Sequence, residues 1–351
     1  MGVHRSSQIK LERLVEAVGV GPWSRQQLLG AGWRPGDVDR ALRHRQIVRV
    51  RRGLYALPDA ESRAEQLAIP YDARLARLHA VVRSLGLRAT ASHDSAAHVH
   101  GLWTPGGRTP LIHVTVPGAT ERVEDGVHVH SSALPDELVE VVDGLRVTTI
   151  ARTAVDLGLR GDLPSALVVA DSALRTTLLA SVRNGERRLR DDAVPDAAIE
   201  EARLALLAAA DVARGWPGSR VVRTAVELAD PRSESPYESW SRGWILAVGL
   251  PRPLVNRAVT GASGRRYFGD LLWPDRRLIG EIDGVAKYGA TSSEIRRAMR
   301  GERERQADLE AAGWRLVRWV PGDSGAALVA RVGRALYLGR EDTPARSELG
   351  A

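Results

Sequence analysis

Between Ser235 and Trp319 turn residues cut the chain into pieces whose order and length leave few folds open. Ser235-Pro236 reads as an N-cap followed by proline at the first helical position, and the helix it opens runs to Gly249. Strands over 254–259, 265–272 and 278–283 follow, separated by a Gly-Ala-Ser-Gly turn and by Trp273-Pro274-Asp275. A charged helix over 292–312 then leads through Gly313 to a last strand, 314–319. Helix, three-stranded meander, helix and strand predict an α/β sandwich with a mixed sheet.

That order places acids at strand ends. Asp270 falls at the end of the second strand and Glu281 near the end of the third, so a hairpin through 273–277 brings their carboxylates together. Glu281 and Asp283, two apart, share a strand face while Ile282 points away. Clustered hard oxygens suit Mg²⁺ or Mn²⁺. Such an ion can orient water and stabilise charge on a phosphodiester.

The phrases Asp270-Leu271-Leu272-Trp273-Pro274, Glu281-Ile282-Asp283-Gly284, and Arg305 through Leu309 to Gly313-Trp314 carry a resemblance spanning 233–322. The segment resembles the restriction-endonuclease-like PD-(D/E)xK superfamily, particularly its very-short-patch-repair-like endonuclease domain of unknown function. The resemblance implies Asp270 and Glu281 as metal ligands, with Glu238 on the preceding helix as a third acid. It departs from the pattern at two places: Gly269 stands where proline is expected, and Asp283 where the lysine is. Lys287, four residues on, is the candidate for the missing ammonium, with Asp283 assisting. Of the 50 basic residues only Lys10 and Lys287 are lysine, so lysine at 287 favours a chemical role over a surface charge. For Glu238 the competing expectation is a solvent pair with Arg242, since its helical phase lies opposite Trp240, Trp244 and Val248. Glu302, Arg303, Glu304 and Arg305 read as a solvated helix face, with Gln306 turned inward.

The charge of the chain is concentrated elsewhere. Residues 1–60 hold eleven basic and five acidic side chains, a balance of +6 within a total of +7. Helices are expected over 7–18, from the cap Ser24 to Gly30, and from Arg34-Pro35-Gly36-Asp37 onward. Two short strands within 47–57 follow, around an Arg-Arg-Gly turn. Three short helices and a basic hairpin describe a winged helix-turn-helix, whose third helix enters a major groove while the wing lays arginines on phosphate. Arg40, Arg43, Arg49, Arg51 and Arg52 are the candidate DNA contacts. Residues 23–58 also resemble the N-terminal domain of type IV toxin–antitoxin (abortive-infection) antitoxins. That resemblance implies double-stranded DNA as a partner, with a cognate toxin as a second.

Residues 61–182 read as an α+β region, with a helix over 71–85 and strands over 111–116, 127–130 and 145–149. Its phrases at 89–97, 147–157 and 170–174 resemble the central region of the same antitoxins. Six of nine histidines lie between His93 and His130. His-x-His on a strand puts two rings on one face, as a zinc site would require. No carboxylate pair stands at ligand spacing, so the expectation is exposed strand histidines without a metal. Residues 183–232 read as a helical connector, 233–340 as the nuclease-like domain and 341–351 as a disordered tail.

The absence of cysteine excludes disulfide scaffolds, thiolate zinc sites and cysteine nucleophiles. The N-terminus lacks an apolar signal core, and no run is expected to reach the ~18 apolar residues of a membrane span. The expected location is cytoplasmic, with no membrane partner. Together these features predict an α/β multidomain protein that binds DNA and hydrolyses its phosphodiester bonds with a divalent ion. The alternative is an antitoxin or transcriptional repressor with an inactive nuclease fold.

Overall fold

The computed structural model describes residues 10–15, 21–51, 53–58, 60, 72–107, 109–181, 189, 194–283 and 292–337. The protein is mixed α/β and divides into two compact units. The first comprises Met1–Gly101 and Gly107–Thr153; the second comprises Leu102–Gly106 and Ala154–Ala351. The sequence-drawn joints at 182 and 232 both fall inside the second unit. The expected tail at 341–351 lies outside the described residues.

The first unit opens with β1 (Trp23–Ser24), α1 (Arg25–Gly30), α2 (Pro35–Arg43), β2 (Val48–Arg51) and β3 (Leu54–Ala56), the strands ordered β1-β3-β2 and antiparallel. Ser24 starts α1 through a reciprocal capping box: its Oγ accepts from Gln27 N at 3.1 Å, and Gln27 Oε1 accepts from Ser24 N at 2.9 Å. Proline at the first position of α2 costs no hydrogen bond, because that N–H has no helical partner. Trp23, Leu28, Val38, Ala41, Ile47 and Tyr55 bury together beneath these elements. Of the helix expected over 7–18, residues 10–15 are described and are helical.

A six-stranded sheet forms the rest of this unit: β4 (Thr90–Ala91), β5 (Ile112–Thr115), β6 (Arg122–Glu124), β7 (Val127–His130), β8 (Val139–Val142) and β9 (Leu145–Thr148). Its order is β6-β7-β5-β4-β9-β8, with β5–β7 and β4–β9 parallel and the other neighbours antiparallel. Helices α3 (Ala73–Leu85) and α4 (His93–His100) accompany it; Leu78, Val81 and Val82 of α3 pack against Ile112, Val114, Val129 and Val147. Helix α5 (Ile150–Gly158) carries the chain into the second unit.

That unit begins with α6 (Leu163–Ser181), α7 (Asp196–Val212), α8 (Ser219–Leu228) and α9 (Pro236–Ala247). Residues 163–180 have a mean hydropathy of 1.2, enough by length and composition to cross a membrane, contrary to the expectation that no run would reach that measure. Two thirds of the stretch is buried inside the protein, which accounts for the composition. Inside the helical layer Arg242 of α9 donates both to Asp171 Oδ1 (2.6 Å) and to Oδ2 (2.8 Å), and neither side chain is exposed to solvent. Gly243 permits this approach, since a Cβ there would lie 2.4 Å from Pro164 Cα.

The sheet β10 (Leu254–Thr260), β11 (Arg266–Trp273), β12 (Leu278–Ile282) and β13 (Arg315–Trp319) is ordered as numbered, with only the β12–β13 pair parallel. Helix α10 (Ser292–Ala311) connects those two strands and α11 (Gly325–Tyr337) follows. Alternation along β11 sends Leu271 and Leu272 to opposite faces. Leu271 joins Ile245 of α9 and Leu328 and Val332 of α11, while Leu272 joins Leu309 of α10. Helices α9 and α11 thus pack on one face and α10 on the other.

Candidate functional site

The second unit gathers its acids where α9 meets β10 and β11. Ser235 Oγ caps α9 by accepting from Glu238 N at 3.2 Å and donates back to Glu238 Oε1 at 3.0 Å. Glu238 Oε2 accepts from Glu234 N at 2.8 Å and from Asn256 Nδ2 at 2.9 Å. These bonds hold Glu238 buried, which corrects the expectation of a solvent pair with Arg242. Arg242 is itself buried on Asp171, so helical phase alone misplaced both residues.

Burial, reinforced by the charge of nearby Asp270, pushes the Glu238 carboxyl up to about 7. Asp270 stands on β11, where Oδ2 accepts from Ile282 N at 2.8 Å. The register that pairs Leu271 with Gly280 brings Asp270 opposite Glu281. Like charges directly opposite repel. Two arginines offset that repulsion: Arg318 Nε donates to Glu281 Oε2 at 3.0 Å, and Arg305 Nη2 donates to Oε1. Arg318 is also the register partner of Glu281 across the parallel β12–β13 pair. Its remaining nitrogens reach Gln306 Oε1 (2.8 Å) and Glu302 Oε1 (2.6 Å).

The 302–305 face is therefore not simply solvated. Glu302 and Arg305 turn to the acid cluster because Glu281 and Arg318 offer charge partners there, and Gln306 turns inward as expected. Asp283 lies just beyond β12, half exposed, with Oδ1 4.0 Å from Arg318 Nε. Lys287 lies outside the described residues. Asn256 and Arg318 carry no sequence signal that marks them as members of this cluster, and Arg305, though it opens one phrase of the resemblance, reads as a solvated charge; Asn256 falls opposite Asp270, between the pairs Val255–Leu271 and Arg257–Gly269. Gly269, standing where proline was expected, has a packing reason: a Cβ there would meet Ile279 Cγ2 at 2.7 Å.

In the first unit, Arg43 and Arg49 are exposed and Arg40 is partly so. Arg49 lies 6.0 Å above the Tyr55 ring, and Arg40 is 3.5 Å from Asp37 Oδ1. Lys10 donates to Asp37 Oδ2 at 2.7 Å, holding that carboxyl below its ordinary range. Arg51 ends β2, and Arg52 lies outside the described residues.

The central histidines depart from expectation. His93, His113 and His130 are all buried, covered where the N-terminus of α4 meets β5 and β7. His113 Nδ1 and His130 Nε2 lie 3.0 Å apart, and the rings of His93 and His130 stack at 3.8 Å. Strand alternation was legible, but the helix that covers these rings was not.

No protein-family profile matches the chain. It is similar to two uncharacterized proteins of Mycobacterium tuberculosis, MT2308 of strain CDC 1551 and Rv2248 of strain H37Rv. Each is 28% identical over 307 residues, covering 87% of this chain and 97% of the relative. A solved structure, the RV2827C protein of Mycobacterium tuberculosis, aligns at 18% identity and a TM-score of 0.33, covering 62% of this chain and 81% of that one. So loose an overlap carries no argument about fold or function.

Proposed function

We propose that the chain binds double-stranded DNA through an N-terminal winged helix-turn-helix and hydrolyses phosphodiester bonds at a nuclease-like α/β sandwich in its second unit. The observation that carries this reading is the gathering of Glu238, Asp270 and Glu281, from α9, β11 and β12, on one helix–meander–helix–strand frame. In chemistry these acids suit the Mg²⁺ or Mn²⁺ that the resemblance implies, although their oxygens do not already converge within 4.8 Å of one another as the histidine groups of the first unit do. All three offer hard oxygens, and a cation would relieve the repulsion that Asp270 adds to burial in raising the Glu238 carboxyl. Asp270 and Glu281 would hold it, with Glu238 adjoining. Bound there, the ion would orient water and stabilise charge on the phosphodiester. The chain itself contributes Arg305 and Arg318, which hold Glu281 in place. Asp283 stands at the strand end, four residues before Lys287 in the sequence.

A second reading is favoured by those same arginines. Both carboxylate oxygens of Glu281 already have guanidinium partners, as in a site whose charge has been closed off. The protein would then be a DNA-binding antitoxin or repressor, with a cognate toxin among its partners. Plasmid nicking decides between them. The nuclease reading expects cutting in Mg²⁺ or Mn²⁺ that EDTA stops, with Asp270→Asn or Glu281→Gln at least ~100-fold slower, about 2.7 kcal/mol of barrier. Duplex binding without cutting supports the repressor.

A further inference from the structure

We propose that His93, His113 and His130 form a binding site for one divalent transition-metal ion of the zinc class. All three are buried, and each offers a ring nitrogen within 4.8 Å of the other two. They come from three elements: His113 from β5, His130 from β7 and His93 from the first position of α4. An ion there would tie the helix to two strands that are neighbours in the sheet.

One nitrogen pair already lies near ligand spacing, while His93, stacked on His130 at 3.8 Å, has to turn its ring edge toward the ion. Zinc–imidazole bonds of about 2.0–2.1 Å place two nitrogens roughly 3.3 Å apart on a tetrahedron. His113 Nδ1 and His130 Nε2, 3.0 Å apart, need only a slight opening. Their outer nitrogens face carboxylates, with His113 Nε2 3.8 Å from Asp94 Oδ2 and His130 Nδ1 3.6 Å from Glu121 Oε1. Carboxylates behind ligating imidazoles are the usual means of fixing ring orientation and raising basicity. His93 Nδ1 lies 3.0 Å from Ser92 Oγ; a proton on Nδ1 leaves the lone pair on Nε2.

The backbone adds an independent observation. His93 begins α4 at φ +50°, a left-handed conformation that residues other than glycine rarely adopt. That conformation accompanies the placing of its ring against His130. Neutral imidazoles in a chain without cysteine select borderline ions such as Zn²⁺, Co²⁺, Ni²⁺ and Cu²⁺ over Mg²⁺. Three protein ligands leave a fourth position for water or a further oxygen. The competing arrangement is a proton shared between His113 and His130, which needs no ion and no third histidine.

The test uses the full chain, freed of any purification tag and stripped with a chelator, then titrated with Co²⁺. One equivalent should bind with the visible bands of a four-coordinate ion, and Zn²⁺ should displace it and raise Tm. His113→Asn and His130→Asn should abolish binding, and His93→Asn should weaken it at least ~10-fold, the range expected for removing a metal-site interaction. His128→Asn should leave it intact, because His128 belongs to the alternative group with Glu121 and His130. If the two strand variants fail to fold, the His93 and His128 pair still decides. Failure of the folded wild type to bind an equivalent would overturn the proposal. So would binding that survives His93→Asn unchanged or is lost in His128→Asn.

Discussion

Asn256 donates from Nδ2 to Glu238 Oε2 at 2.9 Å while lying opposite Asp270 in the sheet register. Its amide also donates to Arg232 O at 2.8 Å, and its φ of +45° is one asparagine tolerates better than most residues. An uncharged donor suits a place where two carboxylates already repel. Asn256→Asp should therefore lower Tm markedly at pH 8 and much less at pH 5. Asn256→Ala should cost about 1–3 kcal/mol at both, for the buried groups it leaves without their donor. Melting curves of the two variants at the two pH values check this.

Glu238 should make stability fall as pH rises. Its carboxyl sits at about 7 in the fold against an ordinary 4.5, so the folded state binds the extra proton between those values. The protein should lose stability as pH rises through that window, by an order of about 3 kcal/mol in all. Glu238→Gln keeps the shape and removes the titration. The variant should match wild type near pH 4.5 and exceed it at pH 8, read by denaturant midpoints. Equal pH slopes for the two proteins would remove Glu238 as the source.

The buried Arg242–Asp171 pair gives a stability test independent of any activity. Arg242→Met strands a carboxylate whose other partners are Asp230 N (2.8 Å) and Ser233 Oγ (3.0 Å). The expected loss is about 3–5 kcal/mol, as for other buried pairs broken from one side. Adding Asp171→Leu should recover part of it, with the two amide and hydroxyl donors still left unmet. Chemical denaturation of the single and double variants measures the difference.

Much of the second unit was legible because its signals are local. Ser235-Pro236, the turns at 261–264 and 273–277, and Gly313 all fall where the elements change. The hairpin expected through 273–277 put Asp270 and Glu281 on adjacent strands for the same reason. What escaped was set by long-range partners. Arg242 has the phase of a surface residue until Asp171, 71 positions away, is packed against it. His113 and His130 look like solvent-facing strand residues until His93 at the start of α4 packs against them. The strands β4, β6 and β8 are too short, or too exposed, to carry a pattern of their own.

The DNA-binding reading makes a salt-dependent prediction. Arg40, Arg43 and Arg49 occupy α2 and β2, and Arg43 and Arg49 are exposed. Replacing all three with alanine should flatten the slope of log K against log salt by up to ~2.7, about 0.9 for each phosphate no longer neutralised. Affinity should fall for every duplex sequence alike if these arginines bind phosphate rather than base edges. An unchanged slope in the folded variant would take the DNA interface away from this hairpin and helix.

The parallel pairing of β4 with β9 has a consequence for synthesis on the ribosome. Ala91 pairs with Val147, 56 residues further on (from 91 to 147), whereas its other neighbour in the sheet, Val114, emerges much earlier. A nascent chain can thus join β5, β6 and β7 to β4 while one edge of β4 still faces solvent. Such an edge is a template for pairing with another chain until β9 arrives. A message truncated between the codons for His130 and Leu145 should yield a product that aggregates, even though it encodes every histidine of the buried cluster.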